Sequence, residues 1–177
     1  MTSVEEYRRV WEIWGGSISI PIDAWKLAFE APDESYPNAE SIPLNVSFVY
    51  SALPGRMELY SQVDLKSHPD DAPGVLSTIL IGTVPDDDSI LYLFDVNSGS
   101  VIQIDLQDGI PEVVNSTLRA FIDFLYYFAI FADADHGADG RPERARALRS
   151  KLEEIDPEAF SDRNTWWSTI FAGLESV

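Results

Sequence analysis

Residues 86–106 read DDDSILYLFDVNSGSVIQIDL. Two apolar runs, ILYLFDV and VIQIDL, are joined by NSGS, a short stretch of turn-forming residues with a glycine, which is the signature of a β-hairpin. In the second run Ile102, Ile104 and Leu106 alternate with Gln103 and Asp105, so the arm is expected to have one apolar and one wet face. Just upstream, VLSTILIGTV (residues 75–84) is β-branched and apolar and predicts a buried strand. Between the two stand Asp86, Asp87 and Asp88. Three successive carboxylates at a hairpin entrance could be a catalytic cluster, a metal site, or acid shown to a partner.

Towards the N-terminus the pattern stays extended. NVSFVYS (45–51) and MELYSQVDL (57–65) are strand-like, with an LPG turn at 53–55 and a loop, SHPDDAPG, at 67–74. Residues 31–43 are rich in proline, serine and acid and read as a loop. SISIPI (17–22) alternates, and Pro21 restricts it to an edge strand. Ser3 and Glu6 have the spacing of a capping box, and Val4, Tyr7, Trp11 and Trp14 recur at helical spacing until Gly15 and Gly16 stop the helix. Its tryptophans either pack on the domain or form a patch for a partner.

Towards the C-terminus the period changes to 3.6. Asn115 or Ser116 is expected to cap a long helix with an apolar stripe of Leu118, Phe121, Ile122, Leu125, Phe128, Ala129 and Ala132, laid across the sheet. The loop DADHGADGR (133–141) ends it. Pro142 suits the first turn of a further helix, which Asp156-Pro157 breaks. Trp166, Trp167, Ile170, Phe171 and Leu174 mark a last amphipathic helix. Strands in the middle and helices at both ends predict an α+β fold, a mixed or antiparallel sheet with the long helix packed on it. One domain is expected over 1–177: an N-terminal helix and loop (1–45), a sheet (46–110) and a helical part (111–177).

Composition narrows the chemistry. The chain has 177 residues and no cysteine, which removes disulfides, thiolate catalysis and cysteine-based zinc sites. The first residues carry no apolar core of a secretory signal. The longest apolar stretch, residues 120–132, is interrupted by Asp123 and falls short of the ~20 residues a membrane span needs. A soluble cytosolic protein with no membrane partner is the expectation. Thirty Asp and Glu against 12 Lys and Arg give a net charge of −18, which repels nucleic acid and attracts basic surfaces. General solubility, or adaptation to a salty cytoplasm, accounts for the charge equally well.

No phosphate loop, dinucleotide fingerprint or nucleophile elbow is present. His68 and His136 both fall in loops, so neither a zinc site nor a serine triad is built around them. The 133–144 segment has the look of a calcium loop, but counting from Asp133 places Ala138 at position six and Arg144 at position twelve, and counting from Asp135 places Arg146 at twelve. Arginine cannot ligate calcium, which favours a solvated loop over a calcium site. Asp86 to Asp88 could supply a glycosidase carboxylate pair, but adjacent turn residues are normally both hydrated, and acid there also keeps a strand edge soluble. No catalytic residue, metal or cofactor is assigned.

ILIG, ILYLFDV, NSGSV, VIQIDL and VVNSTLRAF resemble the SUKH superfamily, and more narrowly the fourth SUKH immunity-protein family of bacterial toxin systems. Gly99 and Val101 stand at the hairpin turn, Asn115, Ser116 and Thr117 at the helix cap, and Phe121 within the helix. LRSKLEEIDPEAF and WWSTIFAGLE resemble the family's ending through Asp156, Pro157, Ala159, Trp166 and Trp167. The resemblance runs from about Val75 to the C-terminus; the family's early Gly-Leu-Pro is matched here only by Ala52-Leu53-Pro54. What it implies is a non-enzymatic protein that neutralises a cognate toxin domain, commonly a nuclease or nucleic-acid deaminase with a basic surface, without touching nucleic acid itself. Asp86, Asp87, Asp88, Asp105 and Asp108 are the expected partner-binding residues. A regulatory interaction scaffold and a carboxylate-based hydrolase are the alternatives.

Overall fold

The computed structural model describes residues 2–53, 62–66, 75–137 and 139–176. In chain order the elements are α1 (Val4–Ile13), β1 (Ser17–Ser19), α2 (Ile22–Ala28), a 3-10 turn (Asp33–Ser35), β2 (Ser41–Pro43), β3 (Asn45–Val46), β4 (Tyr50–Ala52), β5 (Gln62–Lys66), β6 (Val75–Val84), β7 (Asp87–Asp95), β8 (Val101–Asp105), β9 (Pro111–Asn115), α3 (Leu118–Ala134), α4 (Arg141–Ile155), a second 3-10 turn (Pro157–Phe160) and α5 (Trp166–Glu175). The main sheet runs β3-β4-β6-β7-β8-β9, and β5 also pairs with β6. Every pairing is antiparallel, so the fold is α+β as the sequence predicts. β4 pairs at residues 82–83 of β6 and β5 at residues 75–79, end to end along one side of the long strand.

The hairpin forms where expected, with Phe94 opposite Val101 and Ile90 opposite Asp105. Its expected wet face is a correction. Gln103 lies opposite Tyr92 on the helix side of the sheet and is only 9 % exposed. The reason is α5: the Trp166 ring packs edge-on against Tyr92, and the Trp166 N–H donates to the Glu112 carboxylate beside Gln103. Burial raises the Glu112 pKa above its ordinary value. On the opposite face Leu93, Ile102 and Ile104 are buried together, with Leu76, Leu80 and Leu91 packed against them. Both faces of β8 are therefore apolar surroundings.

β6 carries a bulge between Leu80 and Gly82. A Cβ at Gly82 would lie 2.3 Å from the Tyr50 ring, so glycine is what admits that ring to the sheet. The Tyr50 hydroxyl then donates to the Ile81 carbonyl at 2.6 Å, and Tyr92 donates to Val49 O at 2.8 Å. Above them α3 presents Phe121 to both tyrosines, and Phe124 and Phe128 to Trp167 of α5. Such aromatic pairs contribute ~0.5–1.5 kcal/mol each beyond area burial.

The α3 cap is Thr117, whose hydroxyl accepts from Ala120 N at 3.0 Å; Asn115 and Ser116 are not the cap. Both are held by Asp156 instead. The Asn115 amide donates to Asp156 Oδ2 at 3.0 Å, Ser116 N donates to the same oxygen at 2.8 Å, and Ser116 Oγ donates to Oδ1 at 2.9 Å. Trp167 Nε1 donates to Asn115 Oδ1 at 2.9 Å. Four of the residues that carried the resemblance, Asn115, Ser116, Asp156 and Trp167, thus meet in one node that ties β9, the second 3-10 turn and α5 together.

Several boundaries move. The segment expected to be helical from residue 111 opens with β9, the edge strand. Residues 45–51 are not one strand but a tight β3-β4 hairpin, with Ser47 at φ +47° in its turn. The expected loop 31–43 contains a 3-10 turn and β2, which pairs with β1 in a separate two-stranded sheet. α2 was not anticipated; its Trp25 stacks on Phe94 in the core. The α1 capping box is present, and Trp11 is fully buried against Tyr7 and Tyr126, which favours packing over a tryptophan patch. The LPG turn beyond Leu53, the extended stretch at 57–61, the loop at 67–74 and His68 lie outside the described residues.

Candidate functional site

Val84 pairs with Asp87 across the β6-β7 turn, and Ile104 pairs with Pro111 across the β8-β9 turn. Leu106 N donates to Ser89 O at 2.9 Å, so both turns close at one end of the sheet. That end gathers the five expected aspartates. Asp86 adopts the left-handed conformation, φ +64°, in the first turn. Asp87 Oδ1 accepts from Ser89 N and Ser89 Oγ. Asp105 accepts from Gln107 N at 2.8 Å and Asp108 from Ile110 N at 3.0 Å, each closing a local Asx turn. Asp86, Asp87, Asp88 and Asp108 are exposed and Asp105 is half-buried.

Beside them stands apolar surface that sequence reading did not single out. Leu106, Ile110 and Val113 are 59, 55 and 54 % exposed. Val113 lies opposite Ile102 and therefore shares the face of the sheet away from the helices. Leu106 and Ile110 stand in the β8-β9 turn, and Val113 on β9 at the sheet edge, a strand that sequence alone did not reveal. These exposed or half-buried carboxylates stand on turns, flanked by leucine, isoleucine and valine, and not as the two carboxyls astride a cleft that glycoside hydrolysis uses.

The calcium-like loop is closed by arginine. Arg144 Nη2 meets Asp135 Oδ1 at 2.6 Å, Arg144 Nη1 donates to Asp139 O at 2.8 Å, and Arg141 Nε meets Asp135 Oδ2 at 2.7 Å. A guanidinium sits where the loop's oxygens converge. The hydrogen bond from Arg144, aided by Arg141, holds the Asp135 carboxyl below its ordinary pKa against the opposing effect of desolvation. No group of three metal-ligating side chains occurs among the described residues. His136 is exposed.

A second polar locus lies between α1 and α3. The Tyr7 hydroxyl donates to Asp123 Oδ1, and Arg119 Nε donates to Tyr36 O at 3.0 Å. Burial raises the Asp123 pKa, with Tyr7 and Arg119 pulling the other way, and burial together with the carboxylate raises that of Tyr7 well above its ordinary value. Thr2, Asn38, Tyr127 and Ile155 complete a cleft of about 230 Å³. Its parts come from residues 2 to 155, too dispersed for any local motif to mark.

No described helix is long and apolar enough to cross a membrane. No curated protein and no solved structure matches the chain. The family model described as SUKH-4 immunity protein matches residues 52–173, more than half of the chain, beginning ahead of the point where the resemblance in sequence became apparent. The match spans β6 to α4, the Asn115–Asp156 node, the acidic turns and most of α5, and the chain belongs to the SUKH-4 immunity protein family.

Proposed function

We propose that this protein neutralises a bacterial toxin by binding it directly, through the acidic end of the sheet, without turnover. The observation that carries the proposal is the family match over residues 52–173, in a chain of net charge −18. Asp86, Asp87, Asp88, Asp105 and Asp108, beside the exposed Leu106, Ile110 and Val113, are the contact residues in this reading. The toxin it suits has a cationic substrate groove, as a nuclease or nucleic-acid deaminase does. The aspartates imitate the phosphate charge of the displaced substrate. Complementary charge speeds encounter, and desolvated apolar anchors set the lifetime of the complex.

The test is co-expression with the toxin domain encoded beside it, followed by co-purification and binding kinetics. A stable complex and loss of toxin activity are expected. Replacing the five aspartates by asparagine is expected to slow association about tenfold or more, and Leu106→Ser with Val113→Ser to raise the dissociation rate. Toxin inhibition that persists when both sets are changed would refute this face, and inhibition without a complex would refute direct binding.

A further inference from the structure

Arg119 and Asp123 stand one turn apart on α3, the spacing at which arginine and aspartate on one helix usually pair. They form no ion pair here. Arg119 is drawn by its Nε to the Tyr36 carbonyl, and Asp123 by its Oδ1 to the Tyr7 hydroxyl of α1. The cleft of about 230 Å³ opens between them. Among the described residues, Arg119 Nη1 and Nη2 and Asp123 Oδ2 make no hydrogen bond. An open guanidinium fork and a half-buried carboxylate with a free oxygen therefore face one small space, in a chain that has only 12 Lys and Arg. Both groups are strong hydrogen-bonding partners that gain most from an ionised counterpart in such a site.

A ligand satisfying both at once must carry a carboxylate for the fork and a cation for the aspartate, close together. It must also be small, because the cleft lies below the ~300–1,000 Å³ of common ligand pockets, which leaves no room for a nucleotide. We propose that this cleft binds a free α-amino acid, its carboxylate on Arg119 Nη1 and Nη2, its ammonium on Asp123 Oδ2, and its side chain towards Ile155 and Tyr127. An arriving ammonium adds to the pull that the Tyr7 hydrogen bond and the Arg119 charge already exert, against burial, towards the ionised form of Asp123. The site is separate from the acidic end of the sheet and does not depend on the toxin reading.

The experiment is titration of the full chain with each of the 20 common amino acids (about 10 mM at most), followed by calorimetry and by the Arg119 Nε–Hε NMR signal. One or a few are expected to bind and shift that signal. The matching des-amino acid and the matching amine are each expected to bind about tenfold more weakly or worse, as are Arg119→Gln and Asp123→Asn. Where either variant unfolds, Asn38→Trp, at an exposed position on the cleft mouth, is expected to abolish binding. The assignment is overturned if no amino acid binds, if the des-amino acid binds as well as its parent, or if binding survives these substitutions.

Discussion

Asp156 is 2 % exposed and accepts three hydrogen bonds from residues about forty positions earlier. Asp156→Ala strands the buried Asn115 amide and is expected to cost about 1–3 kcal/mol, read as a lower urea midpoint with unchanged slope. Gly82→Ala drives a methyl into the Tyr50 ring and to 2.8 Å from the Ser51 carbonyl, and is expected to cost about 1–3 kcal/mol by overpacking, with partial relief when Tyr50→Ala is added, a double-mutant cycle that separates the ring's share from the backbone's. These two residues also mark what single-residue reading can see. Asn115, Ser116 and Thr117 are all competent caps, and the sequence identified the cluster. Which of the three caps α3 depends on Asp156 claiming the first two, a contact no local pattern contains. Gly82 closes the ILIG run of the resemblance, but nothing local shows what it makes room for, because its partner Tyr50 sits on a neighbouring strand.

Among the elements, α1 adheres to the fold through aromatics. Trp11 is fully buried, and Trp14 Nε1 donates to Ala129 O at 3.3 Å. Trp11→Ala is expected to cost about 3–5 kcal/mol. Trp11→Phe should cost much less, since the indole N–H has no partner among the described residues; thermal melts of the two variants compare them. The α3-α4 loop carries a pH dependence. Asp135 has a depressed pKa in the folded state, so its contribution is fully present above the unfolded carboxylate value, about 3.9, and is lost as pH falls through the folded one. The melting-temperature gap between the parent and Asp135→Asn is therefore expected to be widest near neutrality and to close as pH falls through the lowered folded-state value. Long periodic elements such as α3, and the β7-β8 hairpin, were legible because each repeats its own pattern many times. β9 and the β3-β4 turn were not: five residues opening on proline are too few to show a period inside a segment read as helical, and two strands of two and three residues read as the single strand 45–51.

For the whole molecule the decisive quantity is charge. Acidic side chains outnumber basic ones 30 to 12, so the folded chain repels itself while attracting a cationic partner. Salt should act with opposite sign on the two. Raising ionic strength from 0.1 to 1 M shortens the screening length from about 10 to about 3 Å. The free protein is expected to melt at a higher temperature, and the rate of association with the toxin to fall steeply, with little change in dissociation. Scanning calorimetry and stopped-flow mixing measure the two effects. The α+β class and the family could be read from the chain; that the five named aspartates share one end of the sheet could not, since acid is spread from Glu5 to Glu175 and only the register of β6 to β9 brings these five together.

Arg144, threaded among the oxygens between α3 and α4, means this chain brings its own counter-ion. The loop closes on groups of its own chain, so a chelator or added divalent metal is expected to leave its shape unchanged. In the toxin-binding role proposed above, this part of the fold is set by the peptide alone, with no inorganic supply to wait for.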